Sequence, residues 1–499
     1  MKTKIKLNGG CSDMKLVRFQ EPLLQFGTSQ HVDVRFGILN YCPLDFENPR
    51  APRQIRVGVV GSAVSLEGLR DWLERCRNEI PAKESRQPNL FPRFPGFNSD
   101  CAFHSELLLD SSLERQISSE ELASILKVSV PGEQKVHAAR AIVEQVRSLL
   151  DKKPPDVIVV ALPQELLNAF ESPEEGIDLE DETANAQTPA GDRIDFHDLL
   201  KARCMSLPRA CPIQIVLPAT YDASKRRRGR CRNRDVRPLQ DEATRAWNFH
   251  TALYYKAGGT PWKLTLDPTK PQTCFIGVGF FYTLDRQKIC TSVAQVFNER
   301  GDGVVVRGEP AVYDKVDRSI HLDADASYRL LVRALDEYRH EHHTVPARVV
   351  VHKTSWHNSA EADGFLKAID EYRIHSIELL SLSRSFTRLF RNGFYPPLRG
   401  MFLTLDEHSH ILYTRGSVEF YATYPGMYMP RTLRVACDRI EQTPRYLAEE
   451  ILALTKMNWN DTQFDGGLPI TIRAAHEVGD LLRYTAPSDN IPPHYSFYM

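Results

Sequence analysis

CFIGVGFFYTL (274–284), CTSVAQVFN (290–298) and GDGVVVRGE (301–309) are three consecutive strand-like runs separated by polar turns. β-branched and aromatic residues dominate them, and each has the length of one strand. ASYRLLVRALDEYRHE (326–341) follows with apolar residues at helical spacing. Then come the strand ARVVVHK (347–353), the helix SAEADGFLKAIDEY (359–372) and the strand SIELLSLS (376–383).

Three antiparallel strands, then helix–strand–helix–strand, is the order of a ribonuclease H-like fold. Upstream the pattern changes. IRVGVVG (55–61) reads as a buried strand, and SLEGLRDWLERCRNEI (65–80) after it carries Leu, Trp and Cys on one helical face. A helix over Lys135–Leu150 precedes DVIVVALP (156–163), and another over Asp195–Arg203 precedes PIQIVLP (212–218). Strands alternating with helices imply a parallel sheet covered on both faces. The expected fold class is therefore α/β, a Rossmann-like domain followed by a ribonuclease H-like domain. Residues 1–51 are expected as lead-in strands, because residues 15–40 alternate apolar and polar positions. Residues 52–270 form the first domain and residues 271–499 the second, with the boundary at Pro271.

The chain of 499 residues is too long for one core. Its 42% hydrophobic and 25% charged residues have the balance of a soluble globular protein. Apolar runs such as Val157–Leu162 are far too short to cross a bilayer. The N-terminus has charges without an apolar stretch behind them, so no signal peptide is read, and Met14 is an alternative start. Ten cysteines without a CxxC pair fit reduced thiols and a cytoplasmic location. A net charge of −1 conceals two opposite segments. Residues 171–192 are acidic and poor in large apolar side chains, as in a mobile insertion, whereas residues 224–237 hold eight Lys/Arg against one Asp.

Candidate phosphate ligands flank that basic run. Tyr221 and Lys225 follow the strand PIQIVLP, Gln240 comes after the run, and Asn248 and Lys256 share one helical face with Ala252, ahead of Gly258-Gly259. A terminal phosphate carries about two negative charges and needs converging donors. Lysines supply charge, amides and a phenol supply directional hydrogen bonds, and a tyrosine ring can also stack on a base. The set resembles the guide-anchoring MID domain of Argonaute proteins: a Y-x-x-x-K pair, a downstream Gln, then Asn and Lys eight residues apart before Gly-Gly. Ala252 stands where many members have a further lysine, a loss that one of Arg226–Arg228 could offset. The resemblance also implies that the C-terminal carboxylate, here on Met499, lies near this pocket and helps hold a Mg²⁺ ion at the guide 5′ end.

The resemblance continues through the PIWI domain, over most of residues 200–499, with YPPLRGMFLTLDEHSHILYTRGSVEFYATYPGMYMPRTLRV and LTKMNWNDTQFDGGLPITIRAAHEVGDLL as the matching segments. No stretch resembles a PAZ domain, which points to the short prokaryotic Argonautes. Ribonuclease H-like nucleases need clustered carboxylates to hold two metal ions. Gly279 and Thr354 stand where two of these aspartates belong, and His476 occupies the last site position. The implied protein is a non-cutting sensor that binds a 5′-phosphorylated guide RNA and a complementary single-stranded DNA target. Target binding then activates a separate APAZ-domain partner fused to a Sir2, TIR or nuclease effector, in defence against plasmids or phage. The competing reading is an active nuclease with carboxylates relocated to Asp285 or Asp302. Arg226, Arg384, Arg388, Arg391, Lys456 and Arg473 are the candidate backbone contacts. His340, His342 and His343 at a helix end are read as dipole partners rather than metal ligands, and Val57–Gly61 as a tight strand–helix turn.

Overall fold

The computed structural model describes residues 3–5, 14–152, 154–170, 194–225, 239–265, 269–296, 303–390, 396–426, 429–462, 464, 466–486 and 488–499. The acidic stretch 171–192, Arg226–Arg228, Asp302 and Arg391 lie outside the described residues.

The first half is built on a parallel sheet of β1 (Gln54–Gly61), β2 (Glu106–Gln116), β3 (Val157–Ala161) and β4 (Ile213–Val216), in the order β2-β1-β3-β4. Val157–Ala161 is buried at every position, as a central strand covered on both faces must be. Between β1 and β2 runs α1 (Ala63–Cys76), started by a reciprocal Ser62–Ser65 capping box. Its Leu69, Trp72, Leu73 and Cys76 face the core, at about 1.5–3 kcal/mol per large side chain buried. α2 (Pro131–Lys152) and α3 (Phe196–Met205) cover the sheet's other face, and Asp195 caps α3. α4 (Glu242–Lys256) closes this half. Strand β2 was not legible in the sequence: ELLLDSSLERQ is polar and lies at the sheet edge, where one side needs no partner.

The second half contains β5 (Thr273–Tyr282), β6 (Ile289–Val296), β7 (Gly303–Asp314), α5 (Ala324–His342), β8 (Arg348–Lys353), α6 (Ser359–Tyr372) and β9 (Ser376–Ser385). β5 pairs antiparallel with β6 and parallel with β8, and β9 runs parallel to β8. The order β7-β6-β5-β8-β9 is ribonuclease H-like, as the sequence implied. The sheet extends past β9 through β12 (Thr432–Arg439), β11 (Ser409–Leu412) and β10 (Met401–Thr404). Cys274, Ile276 and Val278 of β5 face α5 and α6, while the alternate residues face α7 (Ile470–Leu482) on the opposite side.

The lead-in departs from expectation in two places. Met14–Arg18 is a strand, but it pairs with β10 in the second-half sheet. Residues 34–41, read as alternating, form a helix, Val34–Tyr41. Asp33 caps it by accepting from the Arg35 and Phe36 N–H groups, and the buried Val34 and Ile38 lie one helical turn apart. No helix among the described residues is long and apolar enough to cross a membrane.

Candidate nucleic-acid interface

Tyr221 and Lys225 lie at a cleft of about 570 Å³ beyond the carboxyl ends of β1 and β3. Strand order reverses between those two parallel strands, with β2 on one side of β1 and β3 on the other, the usual place for a ligand in a parallel α/β sheet. Ser62 and Ser65 enter the cleft from the β1 end and Gln164 from the β3 end. The Tyr221 ring lies against Gly68 of α1, where an added Cβ would come within 2.9 Å of it. Burial pushes its hydroxyl up to about 12. Lys225 is exposed on the rim.

Charge argues against the cleft as the seat of a phosphate. Glu67, Asp71, Glu165, Asp222 and Glu242 line it with three cations, Arg75, Lys225 and Arg245. Arg75 pairs with Glu242 at 3.0 Å, and Arg245 donates to the carbonyls of Ala219 (2.6 Å) and Thr220 (2.8 Å). Those bonds tie the Tyr221 turn to the first turn of α4. Lys256 lies eleven residues further along the helix, roughly 16 Å at 1.5 Å per residue. The five residues therefore fall into two groups.

The second group sits where α4 meets the second half. Asn248 donates to Gln240 Oε1 (3.2 Å) and accepts from the Thr462 N–H (2.9 Å) and hydroxyl (2.8 Å). Ala252 is buried on the same face. Lys256 is 4% exposed and donates to Ile213 O (3.0 Å) and Gln214 Oε1 (2.6 Å) of β4. Burial, then the neighbouring Lys201, holds its ammonium well below the usual lysine range. Lys201, on α3, is 3% exposed and was missed in the sequence, where it interrupts an otherwise apolar helix face. Burial brings it down to about 8, against the pull of Glu477. Burial raises the Glu477 carboxyl, which accepts the Tyr495 hydroxyl. Met499 is buried, and its turn packs near α4. These residues fit a divalent ion poorly. The Asn248 and Gln240 oxygens are already engaged, and the Lys201 and Lys256 ammoniums stand beside the Glu477 carboxyl.

Gly279, Thr354 and His476, the positions expected of nuclease carboxylates, lie elsewhere. α7 rests directly on β5 through glycines. A Cβ on Gly277 would come 2.0 Å from Thr471 O, and one on Gly279 would meet Ser292 Oγ at 2.9 Å and Ala475 at 3.3 Å. Gly479 of α7 leaves Ser292 Oγ only 3.0 Å from an added Cβ. A side chain at Gly279 would require Ser292 to turn away and Ala475 to give by a few tenths of an ångström. Thr354 is half-buried just after Lys353, and His476 is half-buried on α7. Lys353 is itself fully buried, with its ammonium 2.6 and 2.7 Å from the Glu361 carboxylate oxygens. Asp438 is held by His357 (2.7 Å) and Ser381. Asp285 is an exposed turn residue, accepting from the Thr283 hydroxyl and the Gln287 N–H, which hold its carboxyl below the usual range.

Among the backbone candidates, Arg384 is exposed at the end of β9, and Arg388 is half-buried and donates to Ser385 O and Thr387 O. Phe386, between these arginines, and Phe390, two residues beyond Arg388, are each 82% exposed and were passed over in the sequence. Arg473 is partly exposed and 3.9 Å from Asp461. Lys456 is not available to a ligand. It is buried, donates to Pro22 O and Val32 O, and lies 3.4 Å from Glu21. Sequence spacing could not show that this cation points inward. His343 ends α5 in a left-handed C-cap, and His342 packs on Tyr338.

Solved structures with this arrangement are Argonaute and Piwi proteins. A Clostridium butyricum Argonaute bound to a guide DNA and a 19-mer target DNA superposes with a TM-score of 0.63 at 13% identity, covering 94% of this chain and 53% of that one. Drosophila Piwi gives 0.60 at 16% identity, covering 97% and 57%. Marinitoga piezophila Argonaute in complex with a 5′ OH guide RNA gives 0.53 at 12% identity, covering 97% and 59%. The chain has an Argonaute-like fold. It spans little more than half the length of these structures. No protein-family model matches the sequence, and no curated protein matches it.

Proposed function

We propose that the protein holds a short guide by its 5′ end and recognises a complementary strand without cutting it. The observation that carries the non-cutting half is that β5 offers glycines at 277 and 279 and that α7 is seated on them, closest at Gly277. Glu361 and Asp438, the nearby acidic groups, are neutralised inside the protein by Lys353 and by a His–Ser pair. Two magnesium ions need several free oxygen ligands each.

The gripping half rests on Lys256, Asn248 and Gln240 at the junction of the two halves, with Tyr221 as a stacking surface at the neighbouring cleft. Arg384, Arg388 and Arg473 are the proposed backbone contacts, so base pairing rather than protein side chains sets target sequence. On this reading the guide is a 5′-phosphorylated RNA and the target a single-stranded DNA. A protein that finds its target and leaves it whole needs a second chain to act. We assign that part to an APAZ-domain partner carrying a Sir2, TIR or nuclease effector, in defence against plasmids or phage.

Loading the protein with a guide RNA and measuring retention of single-stranded DNA tests the core of this reading. Complementary DNA is expected to be retained far more strongly than a scrambled strand. Equal retention of the two would contradict it.

A further inference from the structure

Lys201 is the most unusual buried group of the first half. It is 3% exposed, on the face of α3 that meets β4 and α7, yet it makes no hydrogen bond or ion pair among the described residues. The side chain is buried but its ammonium is not among the sealed polar atoms, so a charge largely withdrawn from water ends at a point that a ligand can reach. Lys256 reaches the same place from α4, and its own partners on β4 are neutral. Glu477 faces the two lysines from α7, with the hydroxyl of Tyr495 on one of its oxygens, and Asp198 and Asp195 at the start of α3 act on Lys201 more weakly. Neither ammonium forms an ion pair with these carboxyls among the described residues.

We infer that Lys201 is a direct phosphate ligand, paired with Lys256 across the junction of α3, α4 and α7. This rests on the guide-anchoring reading above and deepens it. Position 252 on α4 is an alanine, so that helix presents one lysine where a phosphate dianion calls for more than one charged donor. The second comes from α3 rather than from the basic run after Lys225. Phosphate oxygens entering between the two ammoniums complete both and leave Glu477 to Tyr495.

The test uses the full chain and two probes of one sequence, a guide RNA with a 5′ phosphate and the same RNA with a 5′ hydroxyl. The wild type is expected to prefer the phosphate. In Lys201→Met that preference falls by about tenfold, the scale of one charge-assisted hydrogen bond. The guide-free variant also melts at a higher temperature, because a methionine removes an uncompensated buried charge without leaving a cavity. Retention of the full preference by a folded Lys201→Met overturns the assignment and leaves the guide-anchoring reading standing. A wild type that binds both RNAs equally overturns that reading itself. A lower melting temperature for the variant contradicts the claim that Lys201 is unsatisfied.

Discussion

One helix serves two regions in opposite ways. Thr471, Ala475 and Gly479 of α7 lie one turn apart and press on β5, while Arg473 and Glu477 point from the other side of the helix toward the lysines of the first half. On the first face contact is so close that glycines and backbone do the packing. The second face looks onto Lys201 and Lys256, which are buried without an ion pair among the described residues. The difference teaches that the non-cutting reading proposed above rests on packing as well as on the residue types at Gly279 and Thr354.

The largest effect is expected at the closed face. Lys353→Ala strands the fully buried Glu361 carboxylate and should cost about 3–5 kcal/mol in chemical denaturation. A loss under 1 kcal/mol would mean that the pair is not buried as described. Gly277→Ala places a methyl 2.0 Å from the Thr471 carbonyl, and about 3 kcal/mol is expected because α7 must lift. If that variant keeps wild-type stability, α7 is not seated on β5, and the contrast between the two faces fails.

The open face should respond to pH instead. Lys201 titrates at about 8 in the folded protein, against 10.5 for an unperturbed lysine. Its folded value is lowered, so the penalty of the buried charge is present in full below about pH 8. Between there and 10.5 the unfolded chain binds more protons, and stability rises with pH. The melting-temperature gap between Lys201→Met and wild type should therefore narrow from pH 8 to pH 10. A gap that does not change with pH would place the Lys201 ammonium in water. The smallest effect is expected for Asn248→Ala, about 1–2 kcal/mol, because its bonds to Gln240 and Thr462 are partly exposed.

What was legible in the sequence was mostly local. The runs 55–61, 157–161 and 348–353 are apolar enough to announce central strands, and the order of elements after Pro271 announced the second-half sheet. Pairing between Met14–Arg18 and Met401–Thr404 was not, since nothing in either segment names a partner nearly 400 residues away. The same limit applied to charges. Lys456 looked like a surface cation and is buried against Glu21, whereas Lys201 looked like a helix residue and faces the junction. Direction of a long side chain depends on tertiary packing that spacing does not record. That Gly279 and Thr354 are not carboxylates was visible at once, but the helix α7 seated on Gly277 and Gly279 was not.

The most direct test is incubation of guide-loaded protein with an end-labelled complementary DNA strand in Mg²⁺ or Mn²⁺. The strand is expected to be bound and recovered at full length. Clean cutting opposite the middle of the guide, abolished by Asp285→Ala, would contradict the reading of this fold as a recogniser that does not cleave.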